Sequence, residues 1–408
     1  FNYVRQLRQG LSITGLSDTV SWGIYISNFV FFVAVSLVGS LITAVLYLLN
    51  VNWRAPLTRI SEVIAVAAIM FAGIIIIVDM GRPDRILNMF IHGRIQSPIV
   101  WDVIVVMTYM VISILLLYFP LLPSIAFCRD TLTNIPKWQK KMYSMLSLGW
   151  KNKPEQYKLV KRAVTILSVM IIPVALSIHT VTSWLFATTY RPGWDSTNFG
   201  AYFVAGAFMV GAAAVIAGMS VLRKFYARYD EYFTDKHFDR MGKLLVLLSF
   251  VYLYFTVNEY FIPGYKMKGE EGAHLRELFI GQYAPMFWAV QLFGMIIPII
   301  VLMFERGRKP VPIFIMSIFV IIGAWFKRYL IVVSTMLHPF LPLQQIPESA
   351  KHYFPTLAEW SITTASLAGA LLLITLFVRY FPIISIWEVA EERGIPHDTI
   401  YEHLNEKS

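Results

Sequence analysis

Long apolar segments alternate with short polar ones along the whole chain. A helix needs about 20 apolar residues to cross a bilayer, at a rise of about 1.5 Å per residue. Nine segments qualify, near residues 20–50, 57–80, 98–127, 163–189, 200–222, 243–263, 284–304, 311–337 and 354–380. The pattern predicts an all-α polytopic membrane protein with about nine transmembrane helices. Because the sequence starts at Phe1 rather than at a methionine, we expect a tenth helix upstream in the full chain.

A short motif recurs at the start of two of these segments. Pro98 is followed by Trp101 at the start of the third segment, and Pro285 by Trp288 at the start of the seventh. A repeat after four helices favours a core of two parallel four-helix bundles. The predicted domains are an N-terminal outer-face segment (1–19), a first bundle (20–189), a second bundle (190–337), an additional transmembrane helix (338–380) and a cytoplasmic tail (381–408).

Lysine and arginine are unevenly distributed over the loops. The loops 51–56, 128–162, 223–242 and 305–310 carry more than twice as many of these residues as the loops between them. Short cytoplasmic loops are enriched in Lys and Arg. We therefore expect these loops on the inner side of a bacterial cytoplasmic membrane, with the N-terminus outside and the C-terminus in the cytoplasm.

The composition excludes several classes of function. Apolar residues make up 57% of the chain and charged residues 15%, whereas roughly a quarter of the residues in ordinary soluble proteins are charged. The net charge of +10 arises in short loops, so we expect membrane lipids and no nucleic acid as partners. Cys128 is the single cysteine, and the sequence contains no nucleotide-binding glycine motif. The sequence therefore contains no disulfide framework, and nucleotide-driven pumping is unsupported.

The histidines argue against a haem or metal held by the chain itself. A membrane haem commonly requires two histidines on facing helices. His179 lies deep within a predicted helix, and the other histidines lie in loops, at helix ends or in the tail: His92, His237, His274, His338, His352, His397 and His403. We expect no cofactor bound directly by a motif and no metal.

Ionisable side chains within the predicted helices fall at one depth, toward the outer face. Such a group is costly inside a membrane unless it faces the protein interior, so each is a functional candidate. The layer contains Asp79, Asp102, His179, Glu259 and Lys327, with Arg82, Arg85 and Thr182 beside them. A quinone needs hydrogen-bond partners and a group that exchanges protons. The layer is a candidate quinone site built from Asp79, Arg82, Arg85, Asp102, His179 and Thr182; the alternative is a set of interfacial ion pairs.

A second set of polar side chains lies in the inner half. It comprises Ser36, Ser40, Thr43 and Tyr47 on one face of the first helix, Glu62 on the second, and Thr108 and Tyr109 on the third. Together with Asp102, His179, Glu259 and Lys327 these residues form a candidate proton path. The alternative is that the hydroxyl groups pack the helices against one another.

Several motifs resemble the NrfD/PsrC family, which contains the membrane subunits of polysulfide reductase, of related complexes and of alternative complex III. The resemblance extends from Gly15 to about Pro342. It rests on residues 15–29 (GLSDTVSWGIYISNF), 79–85 (DMGRPDR), 97–102 (SPIVWD), 177–183 (SIHTVTS), 192–194 (PGW) and 202–206 (YFVAG). Within the family the sequence is most similar to the ActF subunit of bacterial alternative complex III. The quinone-binding ActC type has His-Ala-Gly and Glu-Arg-Phe where this chain has Leu37-Val38-Gly39 and Lys327-Arg328-Tyr329.

The resemblance implies a membrane subunit of a respiratory quinol:electron-acceptor oxidoreductase that is not catalytic alone. Such a subunit anchors an iron–sulfur subunit on the outer face and provides a proton path coupled to quinol oxidation. Its implied partners are a second NrfD-like membrane subunit and c-type cytochromes, so that the clusters and the haem belong to partner proteins. Alternatives are that the chain itself binds quinol or menaquinol, that it is an ion-coupled secondary transporter, or that it is a purely structural anchor.

Overall fold

The computed structural model describes residues 1–49, 51, 54–226, 231–338, 347, 352–385 and 387–389. The helices are α1 (Asn2–Gln9), α2 (Ile24–Leu48), α3 (Ala55–Asp79), α4 (Ile86–Ile91), α5 (Pro98–Thr131), α6 (Lys137–Leu146), α7 (Pro154–Ala187), α8 (Phe199–Phe225), α9 (Asp235–Lys266), α10 (Gly269–Phe279), α11 (Ala284–Gln291), α12 (Ile297–Met303), α13 (Pro310–Tyr329) and α14 (Leu357–Tyr380). Short 3₁₀ turns occupy Gly10–Ile13, Pro83–Arg85 and Glu305–Arg308. No strand occurs among these described residues.

Nine helical spans among the described residues are long and apolar enough to cross a membrane, eight of them single helices and one formed by α11 and α12 together, which confirms the predicted fold class. A π-helical turn at Leu292–Ile296 joins α11 and α12 into one span, and a second π turn at Leu330–Ser334 extends α13. Proline stands at the first or second position of several spans, where its missing N–H is unneeded. The spans α5 and α7 each have 34 residues, or about 51 Å, so their ends project beyond the apolar layer.

The two ends of the spans differ in the structure that connects them. The short helices α1, α4 and α10 lie at the end where α2 begins, which we call the α10 side. The helix α6 lies at the opposite end, which we call the α6 side. The sequence did not predict these four helices, because they are too short or too polar to resemble membrane spans.

The spans pack in two groups around α2 and α8. The helices α2, α3, α5 and α7 contact one another and are called the first bundle; α8, α9, α11–α12 and α13 do the same and are called the second bundle. The helix α14 packs on α3 and α2. Gly39 permits the close approach of α2 and α3, since a Cβ atom there would overlap the carbonyl oxygen of Ser61. The domain boundaries drawn from the sequence stay a prediction.

Asn28 joins the two bundles to α14. Its amide nitrogen donates a hydrogen bond of 2.8 Å to the Thr363 hydroxyl of α14, and its amide oxygen accepts one of 2.7 Å from the Trp325 indole of α13. Asn28 is buried within α2. One amide therefore satisfies polar groups from two other spans, which fixes their rotation about their axes.

Glu359 joins α14 to the segment that precedes α2. Its carboxylate accepts hydrogen bonds from the Gly15 amide (2.7 Å), the Thr356 amide (2.8 Å) and the Tyr353 hydroxyl (2.6 Å). The Tyr353 hydroxyl also accepts from the Ile24 amide, over 2.9 Å. The charge of Glu359, which is fully buried, is thus met by donors from both ends of the chain, as burial of a carboxylate requires.

Candidate functional site

Asp102 and Thr182 meet in the first bundle, near the α10 side. Asp102 lies close to the start of α5 and Thr182 close to the end of α7. The Thr182 hydroxyl donates a hydrogen bond of 2.6 Å to Asp102 Oδ1, and both side chains are buried. Hydrogen bonds to an ionised carboxylate are short and strong. The two residues therefore form a fixed polar contact between α5 and α7.

His179 lies one turn before Thr182 on α7. Its Nδ1 atom is 3.2 Å from the carbonyl oxygen of Ala175, and its Nε2 atom has no hydrogen-bond partner within the described part of the chain. The side chain is buried. When Nδ1 carries the proton and donates to Ala175, Nε2 is a free acceptor. His179 can then receive a proton in the bundle interior.

Buried hydroxyl groups connect α2 and α5 in the middle of the first bundle. The hydroxyl oxygens of Ser40 and Ser113 are 3.0 Å apart, and the Tyr109 hydroxyl donates to the carbonyl oxygen of Ser36 over 2.6 Å. All four side chains are buried. A hydroxyl group both donates and accepts, so a row of such groups can pass a proton by reorientation. Ser40 is thus paired with Ser113, and Tyr109 with the backbone of Ser36, whose own hydroxyl donates to the Val33 carbonyl.

Three other residues of the candidate path have different surroundings. The Thr43 hydroxyl donates to a backbone carbonyl of α3 over 3.3 Å, and the Tyr47 hydroxyl is 3.4 Å from the hydroxyl of Thr165 on α7. Thr108 is exposed on α5, and its hydroxyl donates to the Ile104 carbonyl one turn earlier. The structure therefore does not bring Thr108 together with the others, because the neighbouring inward position of α5 belongs to Tyr109.

Glu62 lies at the α6 end of the first bundle, beside Arg59. The two residues are one turn apart on α3 and are 2% and 1% exposed. Glu62 Oε2 has no hydrogen-bond partner among the described residues, nor has the Ser61 hydroxyl. A buried carboxylate oxygen without a donor is costly. Such a group is a candidate for proton exchange.

Arg59 fastens the segment after α14 to the first bundle. Its guanidinium donates to the carbonyl oxygens of Pro382 (2.8 Å), Ile384 (3.1 Å) and Pro120 (3.0 Å). The Trp387 indole donates to the same Pro120 carbonyl over 2.9 Å. One carbonyl oxygen can serve both donors because it has two lone pairs. The segment is thereby packed over the α6 end of α3 and α5.

Glu259 and Lys327 lie near the α10 side of the second bundle. Glu259 on α9 accepts a hydrogen bond of 2.7 Å from the Ser196 hydroxyl. The Lys327 ammonium on α13 donates to the Tyr260 hydroxyl over 2.7 Å, and it lies 5.1 Å from the centre of the Phe287 ring. Both charged side chains are buried. Cation–π contact and a phenolic acceptor stabilise the ammonium in an apolar setting.

Tyr202, Tyr252 and Arg328 extend this polar region toward the first bundle. The hydroxyl of Tyr252 donates to that of Tyr202 over 3.2 Å, and their rings stack with centres 5.2 Å apart. A Cβ atom at Gly206 would lie 2.8 Å from Tyr252 and 3.0 Å from Arg328. Arg328 therefore fills the space left by the glycine, and it is 4% exposed. It is close enough to His179 for an electrostatic interaction.

A small cavity lies beside Glu259 on the α10 side. It has about 30 Å³ of room and is lined by residues that include Tyr202, Glu259, Glu271, His274 and Thr335. A polar cavity above about 10–15 Å³ can hold a water molecule. Water there would connect Glu259 with the loop helix α10.

His274, which lines this cavity, forms a ring pair with His338, with ring centres 5.6 Å apart. Burial and then the neighbouring His338 lower the pKa of His274 to about 3. Burial also lowers the pKa of His338. Both rings are therefore neutral near pH 7. Within the described ranges, no group of three or more His, Cys, Asp or Glu side chains is arranged to hold a metal ion.

Asp79, Arg82 and Arg85 lie apart from these clusters. Asp79 ends α3, and its Oδ1 atom has no hydrogen-bond partner among the described residues. Arg82 forms an exposed ion pair of 3.2 Å with Asp84, and Arg85 is exposed as well. The predicted outer layer is thus divided into separate local groups rather than one cluster.

A groove opens toward the membrane between α7, α8 and α9. It has a volume of about 700 Å³, and its wall includes Thr180, Trp184, Ser196 and Phe208. Small-molecule sites typically have about 300–1,000 Å³ and apolar walls with a few polar groups. Ser196 donates to Glu259, so a titratable carboxylate lies behind the wall. The size and lining are typical of a small-molecule site.

Several residues of these clusters could not be singled out from the sequence. Arg59, Glu359 and Arg328 lie near helix ends, where charges are ordinary. Tyr202 and Tyr252 resemble the many aromatic residues that pack in a bundle core. Ser113 carried a usable signal, since it follows Tyr109 by four residues on the same face of α5.

Comparison with known proteins identifies the family. The family described as polysulphide reductase, NrfD, matches residues 12–339. The chain belongs to this family. The predicted resemblance is therefore confirmed, whereas the closer likeness to ActF stays a prediction.

The chain also resembles three named membrane proteins over almost its whole length. It is 23% identical to the C subunit of selenate reductase from Mesobacillus selenatarsenatis, covering 98% of this chain and 94% of the relative. It is 25% identical to a putative membrane subunit of dimethyl sulfoxide reductase from Halobacterium salinarum, covering 93% and 87%. It is 24% identical to the integral membrane subunit of menaquinone reductase from Nitratidesulfovibrio vulgaris, covering 93% and 87%. NrfD-like membrane subunits of reductases are thus what the chain is similar to.

Proposed function

We propose that the chain is the integral membrane subunit of a respiratory quinol:electron-acceptor oxidoreductase, and that it carries a proton path coupled to quinol oxidation. The observation that carries the proposal is a set of separate buried polar groups spread through the first bundle. From the α6 side to the α10 side these are Glu62, the Ser40–Ser113 hydroxyl pair, the Tyr109 hydroxyl bound to the Ser36 carbonyl, and the Asp102–Thr182 pair. Buried polar groups in a membrane interior are expensive and are typical of ion or proton routes.

The proposed orientation puts the α10 side outside and the α6 side in the cytoplasm. Its support is the excess of Lys and Arg in the loops of the α6 side. An iron–sulfur subunit would then dock on the α10 side, with c-type cytochromes and a second NrfD-like membrane subunit in an assembly of the alternative complex III type. The names of the relatives, which are subunits of reductases, favour an assembly over an ion-coupled transporter.

The proposal is tested on the intact complex, purified from its native membrane and reconstituted into lipid vesicles. A naphthoquinol as electron donor and added oxidised cytochrome c as electron acceptor start turnover, and the protons moved per electron are measured with a pH-sensitive dye inside the vesicles. We expect Glu62→Gln and Asp102→Asn to remove most of the proton movement while electron transfer continues. The control is Glu155→Gln, which changes an exposed carboxylate on the α6 side. Full proton movement in both variants, or purification without any iron–sulfur or haem protein, would contradict the proposal.

A second candidate function is quinol binding by this chain itself. The groove between α7, α8 and α9 favours it, because Ser196 supplies a hydroxyl at its wall and hydrogen-bonds to Glu259, a proton acceptor behind the wall. The relative named as a menaquinone reductase subunit points in the same direction. Photolabelling with an azido-naphthoquinone distinguishes the candidates. Labelling of peptides from α7 and α8 that is prevented by excess menaquinone would support quinol binding by this chain. Labelling confined to another subunit would exclude it.

A further inference from the structure

We propose that Glu388, in the segment after α14, is the residue through which protons reach Glu62 from the α6 side. This inference rests on the proposed proton path and adds its entrance. It assigns a role to a short C-terminal segment that lies outside the matched family region of residues 12–339.

Glu388 is buried although it follows the last span. Arg59, Glu62 and Glu388 are 1%, 2% and 4% exposed. Charged residues beyond a membrane span ordinarily remain in water. The segment instead folds back over the α6 end of the first bundle and takes its carboxylate into the protein.

The attachment of the segment places Glu388 near Glu62. The Pro120 carbonyl accepts hydrogen bonds from both Arg59 and Trp387, at 3.0 and 2.9 Å. Glu388 is the next residue after Trp387, and Glu62 is one turn from Arg59 on α3. Both carboxylates interact electrostatically with the Arg59 guanidinium and with each other. The two acids therefore belong to one buried site.

The segment is attached at the end of the bundle where Glu62 lies. The carbonyl oxygens of Pro382 and Ile384 accept hydrogen bonds from Arg59, and the Trp387 indole donates to the Pro120 carbonyl at the α6 end of α5. Glu62 Oε2 has no hydrogen-bond donor among the described residues. By sequence, Glu388 is the one carboxylate that the segment 382–389 contributes to this site. A proton bound by Glu388 can pass to Glu62, after which Glu388 is ready to bind the next one.

Other titratable groups surround the site and set its charge. The Lys161 ammonium lies over the Trp387 ring, 6.0 Å from its centre, and the Tyr157 ring is 6.3 Å from the same ring. Cys128 is near enough to interact with Arg59. The cations Arg59 and Lys161 stabilise a carboxylate that has given up its proton. When Glu388 releases its proton, the negative charge that remains is therefore compensated by nearby positive charges.

Variants of Glu388 test this role in the reconstituted complex, through the proton-to-electron ratio. We expect Glu388→Gln to reduce protons moved per electron at least threefold, with electron transfer in detergent unchanged. Glu388→Asp, which keeps the carboxylic acid, is expected to restore most of the ratio; a purely structural role would give no such difference. A wild-type ratio in Glu388→Gln overturns the inference. If Glu62→Gln abolishes proton movement while Glu388→Gln does not, the proposed path stands and its entrance lies elsewhere.

A second measurement uses the wild-type complex, so it applies even if the Glu388→Gln variant fails to assemble. The wild-type complex is treated with dicyclohexylcarbodiimide, which reacts with protonated carboxyl groups, and the modified residues are identified by mass spectrometry. Modification of Glu388 that increases in parallel with the loss of proton movement supports the inference. Loss of proton movement with Glu388 unmodified overturns it.

Discussion

The Thr182 hydroxyl donates a hydrogen bond of 2.6 Å to Asp102, across 80 residues of sequence. The bond joins α5 to α7 in the interior of the first bundle, where no bulk water replaces a lost donor. The sequence predicts that both residues lie at a similar depth in the membrane. Their contact also depends on how each helix is rotated about its own axis, which the sequence does not predict.

Replacement of Thr182 by valine should therefore affect both stability and proton movement. The valine side chain would leave the buried Asp102 without this donor, at a cost of about 1–3 kcal/mol. We expect Thr182→Val to lower the thermal midpoint of the purified protein and to reduce protons moved per electron. Thr182→Ser keeps the hydroxyl and should retain most of both. If the two variants have the same thermal midpoint and the same proton-to-electron ratio, the Thr182 hydroxyl does not determine either property.

Alanine at Gly39 should separate α2 from α3. The added Cβ atom would overlap the Ser61 carbonyl and lie 2.7 Å from the Ala65 Cβ. Forced overpacking of this kind typically costs about 1–3 kcal/mol. The matched control is Gly73→Ala on α3, where nothing lies within 4 Å of the new atom. We expect a lower unfolding temperature for Gly39→Ala and an unchanged or higher one for Gly73→Ala.

Acid should destabilise the packing of α10 through His274. The pKa of this histidine is lowered to about 3 by burial and by His338, whereas an unfolded histidine has a pKa of about 6.5. The stability that depends on the neutral ring is complete above about pH 6.5 and is lost as the pH falls toward 3. The loss is at most about 1.4 kcal/mol per pH unit.

Thermal unfolding at about pH 7.5 and about pH 5 measures this dependence. His274→Gln should reduce the difference in midpoint between the two conditions. His92→Gln, which changes an exposed histidine on the same side, should leave the difference unchanged. An undiminished difference in His274→Gln would assign the acid sensitivity to other groups.

Lysine at position 59 should release the segment 382–389. A guanidinium can bond to several carbonyl oxygens at fixed angles, and an ammonium cannot reproduce that geometry. We expect Arg59→Lys to expose the segment to added protease in inside-out vesicles and to lower the unfolding temperature. Arg162→Lys, at an exposed position of α7, is the control. Equal protease resistance in the two variants would argue against the attachment of the segment by the Arg59 hydrogen bonds, which we call the clamp.

Hydropathy was sufficient to predict the spans, since the bilayer imposes their length. It also indicated the depth of Asp102, His179, Glu259 and Lys327. It could not assign partners, because a rotation of about 100° per residue separates neighbouring positions on a helix. Lys327 thus contacts a tyrosine, and Thr108 faces outward although the adjacent Tyr109 faces in.

Contacts between residues far apart in the sequence could not be predicted from local sequence patterns. Arg59 resembles an ordinary basic residue at the α6 end of a span, and its acceptors Pro382 and Ile384 lie 323 and 325 residues later. Glu359 resembles a helix-capping residue, which it is, yet it also binds the Gly15 amide 344 residues away. The roles of such residues can be recognised only in the folded structure, where distant parts of the chain are in contact.

The clamp at Arg59 also affects how the protein is made. Ribosomes deliver α3 to the membrane long before the carbonyl groups of residues 382–384 exist, and domains generally fold in the order of synthesis. During that interval the guanidinium has Pro120 and Ser124 of α5 as its available partners. Completion of the buried site must therefore await the synthesis of residues 382–384, so a chain that terminates before residue 382 would leave this arginine without these two acceptors.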